Sequence, residues 1–139
     1  MTGASSKGNF MIPEKYPQDV PDYNEIIHVV QLYIEGWKGD INKFQEAFHE
    51  DAWIFFTDPK GHLHNYLLKD CFDSWAKTNW EIDPRIIAVN QIGDIANVTL
   101  EFNNVSNPSA SFVDSHNLLK INGVWKITNK TATHIERLP

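Results

Sequence analysis

The chain has 139 residues, of which 42% are hydrophobic and 22% charged, proportions that favour a single globular domain and exclude wholesale disorder. The net charge is −6, and Arg85 and Arg137 are the only arginines. The sequence therefore offers few groups that grip phosphates, and we do not expect nucleic acid as a partner.

The cysteine content and the N-terminal composition limit the possible disulfides, metal sites and cellular location of the protein. Cys71 is the single cysteine, which excludes an intramolecular disulfide and a zinc site built from several cysteines. No basic segment leads into an apolar run at the N-terminus. The longest apolar run, residues 52–56, is far shorter than the ~20 residues that span a bilayer. We therefore expect a cytoplasmic protein with no membrane partner.

The first 21 residues differ from the rest of the chain. Small residues are followed by Pro13, Pro17 and Pro21, a spacing that prevents regular structure. This composition predicts an N-terminal arm over residues 1–21, either flexible or docked on the body or on a second subunit. Residues 22–139 then form one folded domain.

Three helices are predicted in the first half of this domain. Asp22, with an acidic residue three positions later, has the form of a capping box, and an apolar stripe at helical spacing continues to Trp37. Asp40 is suited to cap a second short helix, whose inner face includes Phe44 and Phe48. Apolar residues at helical spacing predict a third helix over residues 68–76.

Six strands complete the predicted domain. The turn Asp58-Pro59-Lys60-Gly61 separates two strands that precede the third helix, and Asn122-Gly123 joins the last two strands. The predicted strands cover residues 53–58, 62–66, 82–92, 96–102, 112–121 and 124–135. This order predicts an α+β fold with helices on one face of a curved antiparallel sheet.

The Asn-Gly turn also predicts the register of the last hairpin, in which paired residue numbers sum to 245. Leu118 then pairs with Ile127, and His116 pairs with Asn129. Asp114, His116 and Asn129 accordingly share the apolar inner face, whereas Lys130 belongs to the outer face. Because the outer face is also partly apolar, we expect it to form a homodimer interface.

A carboxylate on an inner strand position is costly unless it is paired or protonated, which makes Asp114 the most informative residue of the sequence. It is either a structural Asp, hydrogen-bonded near the rim of the sheet, or an acid within a pocket. His116 is likewise either a satisfied core histidine or part of that pocket. His62 and His64, beside Asp58, are weak candidates for a metal site because no third ligand can be placed beside them.

Several stretches of the sequence resemble a known superfamily. Residues 29–33, Gly39-Asp40, residues 48–52 and residues 58–61 are similar to the start of the ketosteroid-isomerase branch of the nuclear transport factor 2-like superfamily. Residues 114–127 look more like the branch called putative lumazine-binding proteins. The resemblance implies a cone-shaped α+β domain with three N-terminal helices packed on the concave face of its sheet.

The isomerase pattern implies specific roles for a few residues. It places a hydrogen-bond-donating tyrosine on Tyr33, a carboxylate base on Asp58, and a second donor on Asp114 or at the position of His116. These residues would abstract a proton next to a carbonyl and stabilise the resulting oxyanion without a cofactor. From the residues alone, the simpler explanations are that Tyr33 is a core residue of the first helix and that Asp58 is a turn residue.

The abundant aromatic residues can fill a core or line a pocket, and with the resemblance we expect a pocket for a small cyclic, largely apolar molecule. The residues expected to line it, with Asn129, are Trp37, Phe56, Phe72, Trp75, Phe102 and Trp125. Two functions fit this pattern: a cofactor-free isomerase or dehydratase, and a non-catalytic ligand-binding or protein-interaction domain.

Overall fold

A computed structural model describes residues 20–138 and contains the three expected helices. They are α1 (Tyr23–Gly36), α2 (Ile41–Ala47) and α3 (Phe72–Lys77). Most of the predicted N-terminal arm, residues 1–19, lies outside the described residues. None of the described helices is long and apolar enough to cross a membrane.

Asp22 precedes α1 as predicted, but its side chain does not cap the helix. Its carboxylate instead accepts hydrogen bonds from the Lys120 ammonium at 3.0 Å and the Trp125 indole at 2.9 Å. Asp22 thereby ties the start of α1 to the last hairpin of the sheet. These bonds hold the pKa of Asp22 below its usual value, with Lys120 and Trp125 contributing most.

The sheet has six strands in the spatial order β2-β1-β6-β5-β4-β3. The strands are β1 (Phe48–Thr57), β2 (Leu63–Leu67), β3 (Ile82–Ile92), β4 (Ile95–Asn104), β5 (Phe112–Ile121) and β6 (Val124–His134). The α+β architecture is confirmed, with one departure from the antiparallel expectation. β1 runs parallel to β6, so the sheet is mixed.

The core lies between the helices and the inner face of the curved sheet. Apolar residues of α1 and α2, including Ile26, Val30 and Phe44, pack in one cluster with residues of the central strands. The strand residues of that cluster include Val98, Leu100, Phe102, Leu118 and Ile127. Burial of this apolar surface is the main force that holds the helices on the sheet.

A β-bulge in β6 corrects the predicted register of the last hairpin. Leu118 pairs with Ile127 as expected, but Asn117 pairs with Asn129, so Thr128 is an additional residue in β6. From this point the paired numbers sum to 246. The prediction that His116 pairs with Asn129 was therefore wrong, because His116 pairs with Lys130.

The bulge exchanges the faces of the second half of β6. Lys130, which the unbroken register assigns to the outer face, is buried on the inner face with 4% exposure. Asn129 turns outward instead, and its side-chain amide donates to the Trp53 carbonyl oxygen at 3.3 Å. β5 has no such interruption over residues 112–117, and Asp114 and His116 lie on the inner face at 0% exposure.

Candidate functional site

A cavity of about 390 Å³ opens between the helices and the inner face of the sheet. This volume falls within the range of small-molecule pockets. Its wall is predominantly aromatic, with a few hydroxyl groups and one lysine. The lining residues are Tyr33, Trp37, Ile54, Phe56, Thr57, Ser74, Trp75, Thr78, Trp80, Phe102, Phe112, Lys130, Ala132 and His134.

Three tryptophans form a stacked group in this wall. The ring of Trp37 stacks on that of Trp75, with centroids 4.7 Å apart and planes at 21°, and on that of Trp80, at 5.3 Å and 11°. Trp37 comes from the end of α1, Trp75 from α3, and Trp80 from the segment that follows α3. The tertiary fold thus gathers three indole rings from separate segments into one stack in the wall of the cavity.

Tyr33 connects the cavity to a buried polar cluster beneath it. Its hydroxyl donates a hydrogen bond of 2.7 Å to Oδ2 of Asp114. Lys130 Nζ lies 3.5 Å from Oδ1 of the same carboxylate, and His116 Nε2 lies 3.5 Å from Oδ2. Tyr33, Asp114, His116 and Lys130 are all almost completely buried, and we call them the buried cluster.

The charge state of Asp114 follows from these contacts. Burial is the largest influence and raises the pKa of Asp114, but the positive charge of Lys130 and the contacts with His116 and Tyr33 outweigh it. The pKa of Asp114 is therefore below its usual value, and the group is a carboxylate at neutral pH. Conversely, burial and the charge of Asp114 hold the pKa of Tyr33 well above its usual value, so Tyr33 remains a donor.

His116 is uncharged at neutral pH, as is Tyr33. Burial lowers its pKa below the ordinary value, although Asp114 opposes that shift. Its ring packs against that of Tyr33 at a centroid distance of 4.7 Å and against that of Phe48 at 6.3 Å. A neutral His116 beside one carboxylate and one ammonium leaves the cluster with no net charge.

Lys130 is the charged member of the cluster among the residues that line the cavity. Its ammonium lies 5.3 Å from the centroid of the Trp75 ring and 5.9 Å from that of Tyr33. These distances allow cation–π attraction, which adds to the ion pair with Asp114. Lys130 is therefore positioned from three sides before any ligand binds.

Asp58 occupies a different place from the base implied by the isomerase resemblance. Its backbone oxygen accepts from Gly61, which closes the predicted turn, and its side chain accepts from the backbone amides of Lys60 and His62. Its other carboxylate oxygen lies 3.0 Å from His64 Nε2. Asp58 is not one of the described residues that line the cavity. These bonds give Asp58 a structural role in the turn, with its pKa lowered chiefly by His64.

The structure separates the remaining sequence-predicted residues into two groups. Tyr33, Trp37, Phe56, Trp75 and Phe102 line the cavity, and Asp114 and His116 lie beneath it. Three residues expected in the wall lie elsewhere. Phe72 packs against Phe44 and Phe48 in the core, Trp125 bonds to Asp22, and Asn129 is turned outward by the bulge.

Sequence reasoning missed the most informative residue of the site, Lys130. One signal was available: an inward carboxylate at Asp114 requires a nearby cation, and Lys130 directly precedes Thr131, the residue that the unbroken register would pair with Asp114. Two other lining residues were also missed: Trp80, which lies in the segment between α3 and β3, and His134, which the bulge moves to the inner face together with Lys130. Within residues 20–138, no group of three metal-ligating side chains is placed to hold a metal ion.

Comparison with known proteins agrees with this fold. Residues 21–132 match the family model described as putative lumazine-binding. No functionally curated protein matches the chain. A nuclear transport factor 2-like protein of unknown function from Shewanella baltica is 26% identical with a TM-score of 0.72, over 81% of this chain and 92% of that one.

A second nuclear transport factor 2-like protein of unknown function, from Methylobacillus flagellatus, is 28% identical with a TM-score of 0.69. That similarity covers 84% of this chain and 94% of the other. The family match spans most of the described domain, and both structures share its fold. The chain therefore belongs to the putative lumazine-binding family of the nuclear transport factor 2-like superfamily.

Proposed function

We propose that this protein binds a flat, ring-containing small molecule of no net charge, with an acceptor oxygen directed at Lys130. The observation that carries the proposal is an aromatic cavity with Lys130 in its wall. Lys130 forms an ion pair with Asp114 beneath the cavity, and the pair has no net charge. A planar ring gains apolar and aromatic contacts with the cavity wall, which includes Trp75. A carbonyl oxygen gains a charge-assisted hydrogen bond from the Lys130 ammonium.

The charge of the buried cluster argues for a neutral ligand. Lys130 is already paired with Asp114, so a ligand carboxylate would enter a site that has no surplus positive charge. Such a ligand would lose its hydration without full compensation. Lumazine, from which the family takes its description, is a flat two-ring dione and has the shape and acceptor groups proposed here.

Binding is better supported than catalysis of the isomerase type. Isomerisation by the implied mechanism requires a base in the cavity and a neutral Asp114 that donates a hydrogen bond. Asp58 is held in a turn by backbone amides and His64, and Asp114 is a carboxylate that accepts from Tyr33. The single hydroxyl proton of Tyr33 is therefore donated to Asp114 and is not directed at a ligand. We accordingly favour a non-catalytic ligand-binding domain over an isomerase or dehydratase.

A thermal-shift screen with neutral planar ring compounds (lumazines, flavins, cyclic enones and phenols) tests the proposal. A ligand at 100 times its dissociation constant stabilises the folded state by about 2.7 kcal/mol, which raises the melting temperature by several degrees. Binding should also quench tryptophan fluorescence, because Trp75 lines the cavity.

Two tryptophan variants localise the binding. Trp75→Leu removes a cavity wall and should abolish the shift, whereas Trp53→Leu should retain it, because Trp53 is 41% exposed and lies away from the cavity. Equal loss in both variants, or no shift with any ring compound at millimolar concentration, would refute binding at this cavity.

A further inference from the structure

The buried cluster has a chemical capacity that simple binding does not use. Lys130 places a primary amine in an apolar cavity, with an acid–base group 3.5 Å from its nitrogen atom. An amine in such surroundings is a nucleophile towards carbonyl carbon. We infer that Lys130 captures aldehydes or ketones carried on flat apolar molecules, by forming a protonated imine that Asp114 stabilises. The inference rests on the proposed cavity and deepens it by naming a reactive ligand class.

The first step is a proton transfer within the ion pair. The attacking amine must be unprotonated, and Asp114 Oδ1 is the near acceptor for a proton on Lys130 Nζ. That oxygen has no hydrogen-bond partner among residues 20–138, so it is available for the proton. Entry of an apolar ligand expels water from the cavity, and drier surroundings lower the free-energy cost of moving the proton from Lys130 to Asp114.

The remaining steps balance without any further reactant. Nζ bonds to the carbonyl carbon as the carbon–oxygen double bond opens, and Asp114 returns its proton to the carbonyl oxygen. The nitrogen then gives up one proton to Asp114, and Asp114 delivers that proton to the hydroxyl group, which leaves as water while the carbon–nitrogen double bond forms. Lys130 ends as an iminium cation and Asp114 as a carboxylate.

The charges at the end are those at the start. A positive nitrogen at Lys130 and a negative carboxylate at Asp114 are already accommodated in the folded protein at 3.5 Å. The Tyr33 hydroxyl bonds to the other carboxylate oxygen and keeps Asp114 in place during the exchange. The cluster is therefore organised in advance for the iminium product.

Lys120 provides the matched control for this inference. Its ammonium is also paired with a carboxylate, that of Asp22, at 3.0 Å. Its side chain is 31% exposed and is not among the described residues that line the cavity. If pairing with a carboxylate were enough for reactivity, Lys120 and Lys130 would react alike. If the apolar cavity is required, only Lys130 reacts.

The experiment uses the full chain, cinnamaldehyde as a flat ring-bearing aldehyde, and cyanoborohydride to reduce the imine to a stable amine. Peptide mass spectrometry then locates the adduct. The expected result is labelling of Lys130 at least about ten-fold above Lys120, because the cavity concentrates and orients the aldehyde. The iminium absorbance, shifted to longer wavelength than that of the free aldehyde, should appear before reduction.

Substitutions make the assignment specific. Lys130→Arg keeps a cation beside Asp114 but cannot form the imine, so the cavity adduct and the shifted absorbance should be lost. Lys120→Arg should retain both. Labelling spread over exposed lysines with Lys130 unmodified would overturn the inference, and so would equal labelling of Lys130→Arg and the unchanged protein. Because the adduct is mapped in the unchanged protein as well, the test does not depend on how well Lys130→Arg folds.

This result is distinguishable from that of the binding proposal. Stabilisation by a non-covalent ring compound with no adduct at Lys130 refutes imine formation and leaves binding supported. An adduct at Lys130 without stabilisation by any non-covalent ring compound supports imine formation and refutes the broader binding function.

Discussion

Replacing one partner of the Lys130–Asp114 pair should destabilise the fold strongly. The two groups are 3.5 Å apart, and their side chains are 5% and 0% exposed. At an effective dielectric constant of about 20, the attraction over this distance is about 5 kcal/mol. Lys130→Met leaves a buried carboxylate without its cation, and Asp114→Asn leaves a buried ammonium. Each change should lower the free energy of unfolding by about 3–5 kcal/mol.

A double-mutant cycle measured by urea unfolding tests this estimate. Because the double variant Lys130→Met/Asp114→Asn removes both charges together, its loss should be smaller than the sum of the single losses by about 2 kcal/mol. With a urea m-value of about 1–3 kcal/mol/M, a single loss of that size moves the midpoint by about 1 M or more. The same cycle on Asp22 and Lys120, whose pair is partly exposed, should give a smaller coupling.

Two outcomes would refute the reasoning about the pair. Single losses below about 1 kcal/mol would mean that water reaches both charges in the folded state. Losses that add to within about 0.5 kcal/mol would mean that Lys130 and Asp114 are not energetically coupled. In either case the buried cluster would not exist beneath the cavity as described.

Three further predictions concern pH, packing and assembly. The pKa of His116 in the folded state is lowered from 6.5, so its stabilising contribution is present above pH 6.5 and is lost as the pH falls through the folded-state pKa. His116→Gln should therefore flatten the dependence of the unfolding free energy on pH below pH 6.5, by up to about 1.4 kcal/mol per pH unit. An unchanged slope in chemical unfolding would contradict this. Gly36→Ala should cost about 1–3 kcal/mol, since the added carbon would collide with the Phe44 ring, and thermal unfolding at an unchanged melting temperature would contradict that contact. Finally, we expect a homodimer through the outer sheet face, where Leu119 is exposed beside Ile92 and Ile95. Leu119→Lys should yield monomers in sedimentation analysis. A monomeric unchanged protein would refute this interface.

The local patterns of the sequence determined the elements, because their causes lie within a few residues. The apolar stripe on one side of α1 predicts the helix and its buried face, including Tyr33. Asn122 and Gly123 have the positive φ angles, 50° and 81°, that the two-residue turn requires. That turn predicts the pairing of Leu118 with Ile127. The inward placement of Asp114 follows from strand alternation alone, since β5 is unbroken there.

The strand β1 shows what these patterns could not reveal. Its β-branched and aromatic residues predict a strand, but no residue within it specifies a partner, and it lies parallel to β6. It also begins at Phe48, which sequence periodicity assigns to the second helix. Phe48 is buried in both readings, so the apolar pattern alone does not separate them.

Contacts between separate helices and strands determine which residues form the candidate site. Aromatic residues expected to line a pocket, such as Trp37 and Trp75, do so because helix and strand periodicity sets which face they occupy. Lys130 could not be placed in this way, because the bulge at Thr128 occurs where β6 also changes register against β1. A one-residue shift exchanges the faces of a strand, and its position depends on contacts between distant segments. The sequence alone therefore determined the fold class, most of the elements and the inward carboxylate of Asp114, whereas the tertiary structure alone decided that Lys130 is its partner.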